Sequence, residues 1–196
     1  MSAVNGFAVT AWSMPQPPTS GYDEAGMITV RDERPEDAGT IRDVHDAAFE
    51  GPVEGRIVHQ LRRDAKPYVG LVAVDDAGVV GHIVFSGATL HCYNAPYPII
   101  ALGPMAVLPA RQRSGIGSAL VRAGLDACRH LGHDVVVVLG HPEFYPRFGF
   151  VPSRPVGVMT EYDVPDEAFM VLELSPGALR GRRGVVYYAP AFRLAG

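Results

Sequence analysis

Pro109-Ala110-Arg111-Gln112-Arg113-Ser114-Gly115-Ile116-Gly117-Ser118-Ala119-Leu120 is the stretch on which the reading of this chain turns. An apolar segment runs up to Leu108, and an amphipathic helical pattern begins near Gly115. Gly115 and Gly117 let the main chain pass close to a ligand without interference from a Cβ. The amides that open the helix have no partner inside it and point toward an anion. Arg111 and Arg113 add positive charge at the same place. The turn reads as a seat for a polyanion.

Two nucleotide readings lack residues they require. A dinucleotide fingerprint wants Gly-x-Gly-x-x-Gly, but Leu120 stands where the third glycine belongs. The next strand runs into Gly140-His141 with no acidic residue to hold a ribose. A Walker A loop needs a Gly-Lys pair, and the chain has none.

Working outward, 196 residues suit one domain with a substantial core. The composition, 47% hydrophobic and 19% charged, is that of a globular chain rather than a disordered one. No apolar run approaches the roughly 20 residues of a bilayer span, so no membrane association is expected. Residues 1–20 lack a secretory pattern. Cys92 and Cys128 match no disulfide or zinc spacing, and a cytoplasmic location is expected. His130 and His133 share a helix end without a carboxylate or thiolate to complete a set, so no metal is expected. The net charge of −4 gives no general attraction to nucleic acid and suits a small cationic substrate better.

Residues 1–26, rich in Pro and Gly, read as a flexible N-terminal extension, with a chain start at Met27 as the alternative. Residues 27–196 read as one α/β (α+β) domain. Strands are expected at 28–31, 68–74, 79–85, 99–107, 135–139, 169–174 and 185–188. Helices are expected at 36–49, 54–63 and 115–131, the last burying Ile116, Leu120, Ala123, Ala127 and Leu131. Gly103-Pro104 interrupts its strand and predicts a bulge or a loss of pairing there. Residues 99–139 form a right-handed βαβ unit with parallel strands. The last two strands are expected to pair with each other, and residues 86–98 to form a long connection.

Three segments then resemble one family. Gln112-Arg113-Ser114-Gly115-Ile116-Gly117 resembles the Gln/Arg-x-x-Gly-x-Gly/Ala signature of the GCN5-related N-acetyltransferases (GNAT). Leu102-Gly103-Pro104-Met105-Ala106-Val107-Leu108-Pro109 looks like that family's fourth strand, whose bulge splays it from the fifth. Tyr145-Pro146-Arg147-Phe148-Gly149-Phe150 is similar to its Tyr-x-x-x-Gly-Phe segment. With Leu139 to Phe144 included, the string looks like a bacterial subgroup of predicted N-acetyltransferases, the YhbS-like ones. The resemblance covers about residues 27–190.

The resemblance implies a mixed central sheet of about six or seven strands, with helices on both faces and a splayed βαβ cofactor site. It implies acetyl-CoA as co-substrate. The pantetheine arm would lie along Met105, Ala106 and Val107, and the pyrophosphate at Gln112, Arg113, Ser114, Gly115, Ile116, Gly117 and Ser118. Tyr145 falls at the family's proton-donor position. The acceptor would be a primary amine of a small molecule or peptide, and a homodimer stays open. A non-catalytic acyl-CoA sensor is the alternative.

An alkylammonium of pKa about 10 is only about one part in a thousand neutral at pH 7, so its proton needs an acceptor. Glu54, His82, His141 and Glu143 are the candidates, and the sequence does not choose among them. Tyr22, Tyr93 and Tyr97 are expected in loops, where they could serve recognition.

Overall fold

The computed structural model describes residues 28–195; the proposed extension at 1–26, with Tyr22, lies outside them. The elements run β1 (Thr29–Asp32), α1 (Ala38–Phe49), α2 (Val53–Asp64), β2 (Tyr68–Asp75), β3 (Gly78–Cys92), β4 (Pro96–Val107), α3 (Ile116–His130), β5 (Val135–Leu139), β6 (Val151–Pro152), β7 (Val158–Thr160), β8 (Phe169–Glu173) and β9 (Gly184–Tyr187). No helix among the described residues is long and apolar enough to cross a membrane.

The strands form one mixed sheet in the order β1-β2-β3-β4-β5-β8-β6, with β9 pairing the far end of β3 and β7 pairing β9. Seven of its strands were expected. The other two, β6 and β7, are two and three residues long, too short to carry a period. β4 and β5 are parallel, joined by α3.

Two expectations about strand pairing fail. β8 does not pair with β9: it lies between β5 and β6, while β9 joins β3 and β7. Residues 86–98 are not a long loop. β3 and β4 continue through them, pairing from Ser86↔Ala101 to His91↔Pro96. Gly87 and the prolines hid this run from a propensity reading.

The sheet is covered differently on its two faces. On one, Ile83, Phe85, Ile100, Val136 and Val138 pack against Ile116, Leu120, Val121 and Leu125 of α3. On the other, Val72 and Val84 pack against Ile41 of α1 and Ile57, Val58 and Leu61 of α2. β5 contributes to two cores, as its continuous valines require. α3 is rotated from the expected stripe: Val121, Gly124 and Cys128 face inward, while Leu131 is 60% exposed. The cause is Gly124, where an added Cβ would lie 1.9 Å from Cε2 of buried Phe85. A glycine counts as a gap in a hydrophobic pattern, yet here it is where the helix comes closest to the sheet.

The α1/α2 face also holds a buried polar chain. Glu33 accepts two hydrogen bonds from Arg62, at 2.6 and 2.9 Å, and one from the Tyr68 hydroxyl at 3.1 Å. His82 Nε2 lies 2.8 Å from Glu33 Oε2, and His45 Nε2 lies 2.9 Å from His82 Nδ1. Gly70 leaves room for the carboxylate, since a Cβ there would sit 2.6 Å from it. The chain ties together α1, α2, β2, β3 and the segment after β1. Despite burial, the hydrogen bonds from Arg62 and His82 hold the Glu33 carboxyl down at about 2. Burial lowers His45 to about 3 and lowers His82 as well.

Two outcomes follow from this packing. Gly124→Ala should destabilise the fold by about 1–3 kcal/mol in urea unfolding, and Phe85→Leu in the same chain should recover part of the loss. Cost additivity of the two substitutions would contradict the contact. The buried histidines must charge on unfolding, so the stability they provide is complete above their ordinary value of 6.5 and is lost as pH falls below it. Glu33 adds a further loss as pH falls from 4.5 toward 2. Unfolding free energy should therefore drop by on the order of 3 kcal/mol between about pH 7 and pH 4; a flat profile over that window would rule out neutral buried imidazoles.

Candidate functional site

β4 outruns its parallel neighbour. The ladder to β5 comprises Ile100↔Val136, Ala101↔Val137 and Leu102↔Val138, whereas β4 continues to Val107. The register with β3 shifts between Ile83 and Phe85, opposite Gly103-Pro104, which is the bulge the sequence predicts. Gly103 has φ 138°, a conformation that glycine adopts without strain. Beyond the bulge, the Leu108 N–H donates to Val80 O at 2.9 Å. By the alternation of an antiparallel ladder, the main-chain groups of Val107 and Met105 face away from β3, into the gap opened by the end of β5. Ala106, between them, turns its polar groups to β3. The Gln112 side chain bridges back from the following turn, its Nε2 donating to Val107 O at 3.1 Å.

The turn itself changes hand twice. Gln112 has φ −66° and Arg113 φ 65°; Gly115 has φ 87° and leads into helical Ile116. Such sign changes bring successive N–H groups onto one concave side. The first intrahelical bond is Ala119 N to Gly115 O at 3.0 Å, which leaves the amides of Ile116, Gly117 and Ser118 without helical acceptors. The N-cap is glycine and no side chain caps the helix, so nothing from the N-cap competes for those amides. The Ser114 hydroxyl donates to Arg111 O at 2.7 Å and braces the turn. Arg111 is drawn aside, 2.9 Å from Asp75 Oδ2 at the β2–β3 turn, an ion pair without hydrogen-bond alignment. The result can seat a compact anion on main-chain nitrogen.

Tyr145 begins the short 3-10 turn after β5 and is 6% exposed. Its ring meets Phe144 and Phe150 edge-on, at 5.0 and 5.7 Å. Gly140 admits it: a Cβ there would lie 2.4 Å from the ring. The Tyr145 hydroxyl is not among the side-chain oxygens sealed from solvent without a partner. Burial alone raises its pKa well above the ordinary tyrosine value, so it remains a proton-bearing donor. Phe144 and Met105 converge on Gly117, within 3.6 and 3.8 Å of where its Cβ would be. The structure thus brings Met105, Gly117, Phe144 and Tyr145 to the mouth of the strand gap. Arg147 lies over the Phe144 ring at 4.9 Å and Arg122 over Phe148 at 5.4 Å, two cations that the sequence reading missed.

The other candidates divide. His82 is a fully buried strand histidine with partners on both ring nitrogens, which is the structural role expected of most such residues. Glu54 stands in the first turn of α2; burial raises its carboxyl above the usual range, with Asp46 adding to the rise. Glu143 is exposed and His141 half-buried in the turn after β5. Tyr97 is a strand residue, not a loop residue; its hydroxyl donates to Asp134 at 3.0 Å and its ring lies under Arg182 at 4.0 Å. Tyr93 is fully exposed at the hairpin tip.

Residues 66–152 match the acetyltransferase (GNAT) domain family. The chain is 34% identical to the N-acetyltransferase YhbS of Escherichia coli K12 over 166 residues, covering 84% of this chain and 98% of that protein. It is 37% identical to the N-acetyltransferase YjhQ of the same organism over 67% of this chain and 74% of that one. The crystal structure of E. coli YhbS in complex with CoA superposes with a TM-score of 0.80, 33% identity and coverage of 89% and 96% of the two chains. A GNAT acetyltransferase of Brucella melitensis in complex with acetyl-CoA gives a TM-score of 0.70 at 37% identity, over 86% and 99%. A relationship at 34% identity over 84% of the chain, on a strand gap and anion-seating turn of this shape, makes the chain a member of the GNAT family of N-acetyltransferases.

Proposed function

We propose that this acetyltransferase moves an acetyl group from acetyl-CoA to a primary amine of a small molecule or peptide, at the gap between β4 and β5. The observation that carries the reading is the open edge of β4 leading into an uncapped helix N-terminus. An extended arm bearing amides and ending in a diphosphate needs those two features in that order. CoA and acetyl-CoA in the related structures support the donor.

When bound, acetyl-CoA supplies an activated acyl carbon and a thiol leaving group. The chain's own residues do the rest. Amides from Gly115 to Ser118 hold the diphosphate, with Arg113 and Ser114 shaping the turn. Met105 and Val107 offer outward main-chain groups to the arm, and Gln112 fixes the height of that edge. Met105 and Phe144 exclude water from the mouth. Tyr145 donates a hydrogen bond to the departing sulfur. Its raised pKa makes complete proton transfer to a thiolate whose conjugate thiol has a pKa near 8.5 unfavourable, so its contribution is stabilisation of developing charge rather than delivery of a free proton. On the acceptor side, Asp46 and Glu54 at the α1–α2 corner favour a cation.

Tyr145→Phe should lower kcat by ~10²-fold while leaving the acetyl-CoA dissociation constant within about twofold, measured by CoA release and by calorimetry. An unchanged kcat would remove Tyr145 from the reaction. Gly115→Ala forces a Cβ into φ 87°, a strain of about 1–2 kcal/mol, and should weaken acetyl-CoA binding by ~10-fold. An amine-library screen read by CoA release tests the transferase reading itself. Tight binding of acetyl-CoA with no release from any amine would favour a sensor instead.

A further inference from the structure

Two guanidinium groups beside the anion-seating turn are held by aromatic rings instead of carboxylates. Arg147 stands 4.9 Å from the centre of the Phe144 ring and Arg122 5.4 Å from that of Phe148, and the two rings meet edge-on at 5.3 Å. Both arginines are exposed, and neither has an ion-pair partner among the described residues. Asp126, one helical turn after Arg122, pairs with Arg129 instead, at 2.7 Å. Arg147 donates to the main-chain oxygen of Glu143 at 3.4 Å. A guanidinium over a ring is held by the ring's quadrupole, and its N–H groups are not consumed as a carboxylate would consume them. In a chain of net charge −4, these two cations keep their charge for something else.

Their position ties them to the turn. The Phe144 ring reaches within 3.6 Å of where a Cβ of Gly117 would be, so the ring beneath Arg147 is also the one that touches the turn. Arg122 follows Ser118 by one turn of α3. The Cα–Cβ bonds of a helix tilt toward its N-terminus, so the Arg122 side chain leans back toward the unmatched amides of Ile116, Gly117 and Ser118. α3 and the 3-10 turn Tyr145–Phe148 thus each bring one cation to the same rim. Arg111, by contrast, is drawn to Asp75 on the side of the β2–β3 turn.

We infer that Arg122 and Arg147 bind the 3′-phosphate of coenzyme A and make the protein selective for donors that carry it. This rests on the acetyl-transfer reading above. The open β4 edge and the first amides of α3 account for the pantetheine arm and the diphosphate. The nucleotide end then leaves the turn, and one ribose beyond the diphosphate it bears a phosphate monoester. With a second pKa of about 6, that group carries close to two negative charges at neutral pH. Its three oxygens suit a pair of guanidinium forks, each able to donate two parallel hydrogen bonds. The amides of the turn are committed to the diphosphate, so the further charge calls for side-chain cations. Each ring restrains the guanidinium above it, which lowers the ordering cost of binding.

The test is calorimetry on the full chain at pH 7.5 with CoA and with dephospho-CoA, which differs only in lacking the 3′-phosphate. CoA should bind ~10- to 100-fold more tightly. Arg122→Gln and Arg147→Gln keep a planar polar head near each ring and remove its charge. Each should weaken CoA by ~5-fold or more, and the double substitution should bring the two ligands within about twofold of each other. Dephospho-CoA affinity should stay within about twofold of its starting value throughout. Arg147→Lys, which restores a charge without the fork, should recover part of the preference. Equal binding of CoA and dephospho-CoA by the unsubstituted protein would overturn the inference, whatever the variants do. So would glutamine variants that weaken both ligands alike, the result expected if the arginines only cover Phe144 and Phe148. Binding of neither ligand would overturn the acetyl-transfer reading, and this inference with it.

Discussion

The constraint from which the site follows is that two parallel strands part before either is finished. Backbone amides and carbonyls removed from water need partners. Up to Leu102 and Val138, β4 and β5 satisfy each other. Past that point β4 still has a partner in β3, but among the described residues no strand lines its other side; the Gln112 amide takes Val107 O, and the other outward groups of Met105 and Val107 await something extended to complete them. The bulge at Gly103 creates this situation, and the glycine turn after Val107 supplies a second set of unmatched donors a few residues later. Both belong to the main chain, so the site depends on backbone course more than on any single side chain.

The two faces of the sheet divide the remaining work. The α3 face is apolar and tight, with Gly81 and Gly124 allowing close approach of helix and strand. Rigidity there fixes the first turn of α3 relative to β4. The opposite face includes a charged and hydrogen-bonded chain within an otherwise aliphatic layer. Removing one member of such a chain leaves another buried and unpaired. That face therefore holds α1 and α2 by specific partners as well as by apolar area.

Much of this was legible because it is local. The strand–turn–helix from Ala101 to Leu120 carries its own punctuation in Gly103-Pro104, Gly115 and Gly117. The four valines of β5 announce a doubly covered strand. Other features depend on residues distant in sequence and carry no local mark. Glu33, His45, Arg62, Tyr68 and His82 come from five separate elements or connections, and only their assembly makes them a network. The rotation of α3 was misjudged because Gly124 is silent in an apolar count. The length of the β3–β4 hairpin was underestimated because a sheet can override the weak strand preferences of Gly87, Pro96 and Pro98.

Gln112 has an effect that extends past the turn. An exposed strand edge is a template on which another polypeptide can add itself, and natural sheets blunt such edges. Here one outward carbonyl, that of Val107, is occupied by the Gln112 amide, and the bulge at Gly103 breaks the spacing beyond it. A foreign β-strand would find neither an even rhythm of groups nor a balanced supply of donors and acceptors. The protein can thus keep a strand edge open for a small flexible guest while denying it to the chains around it.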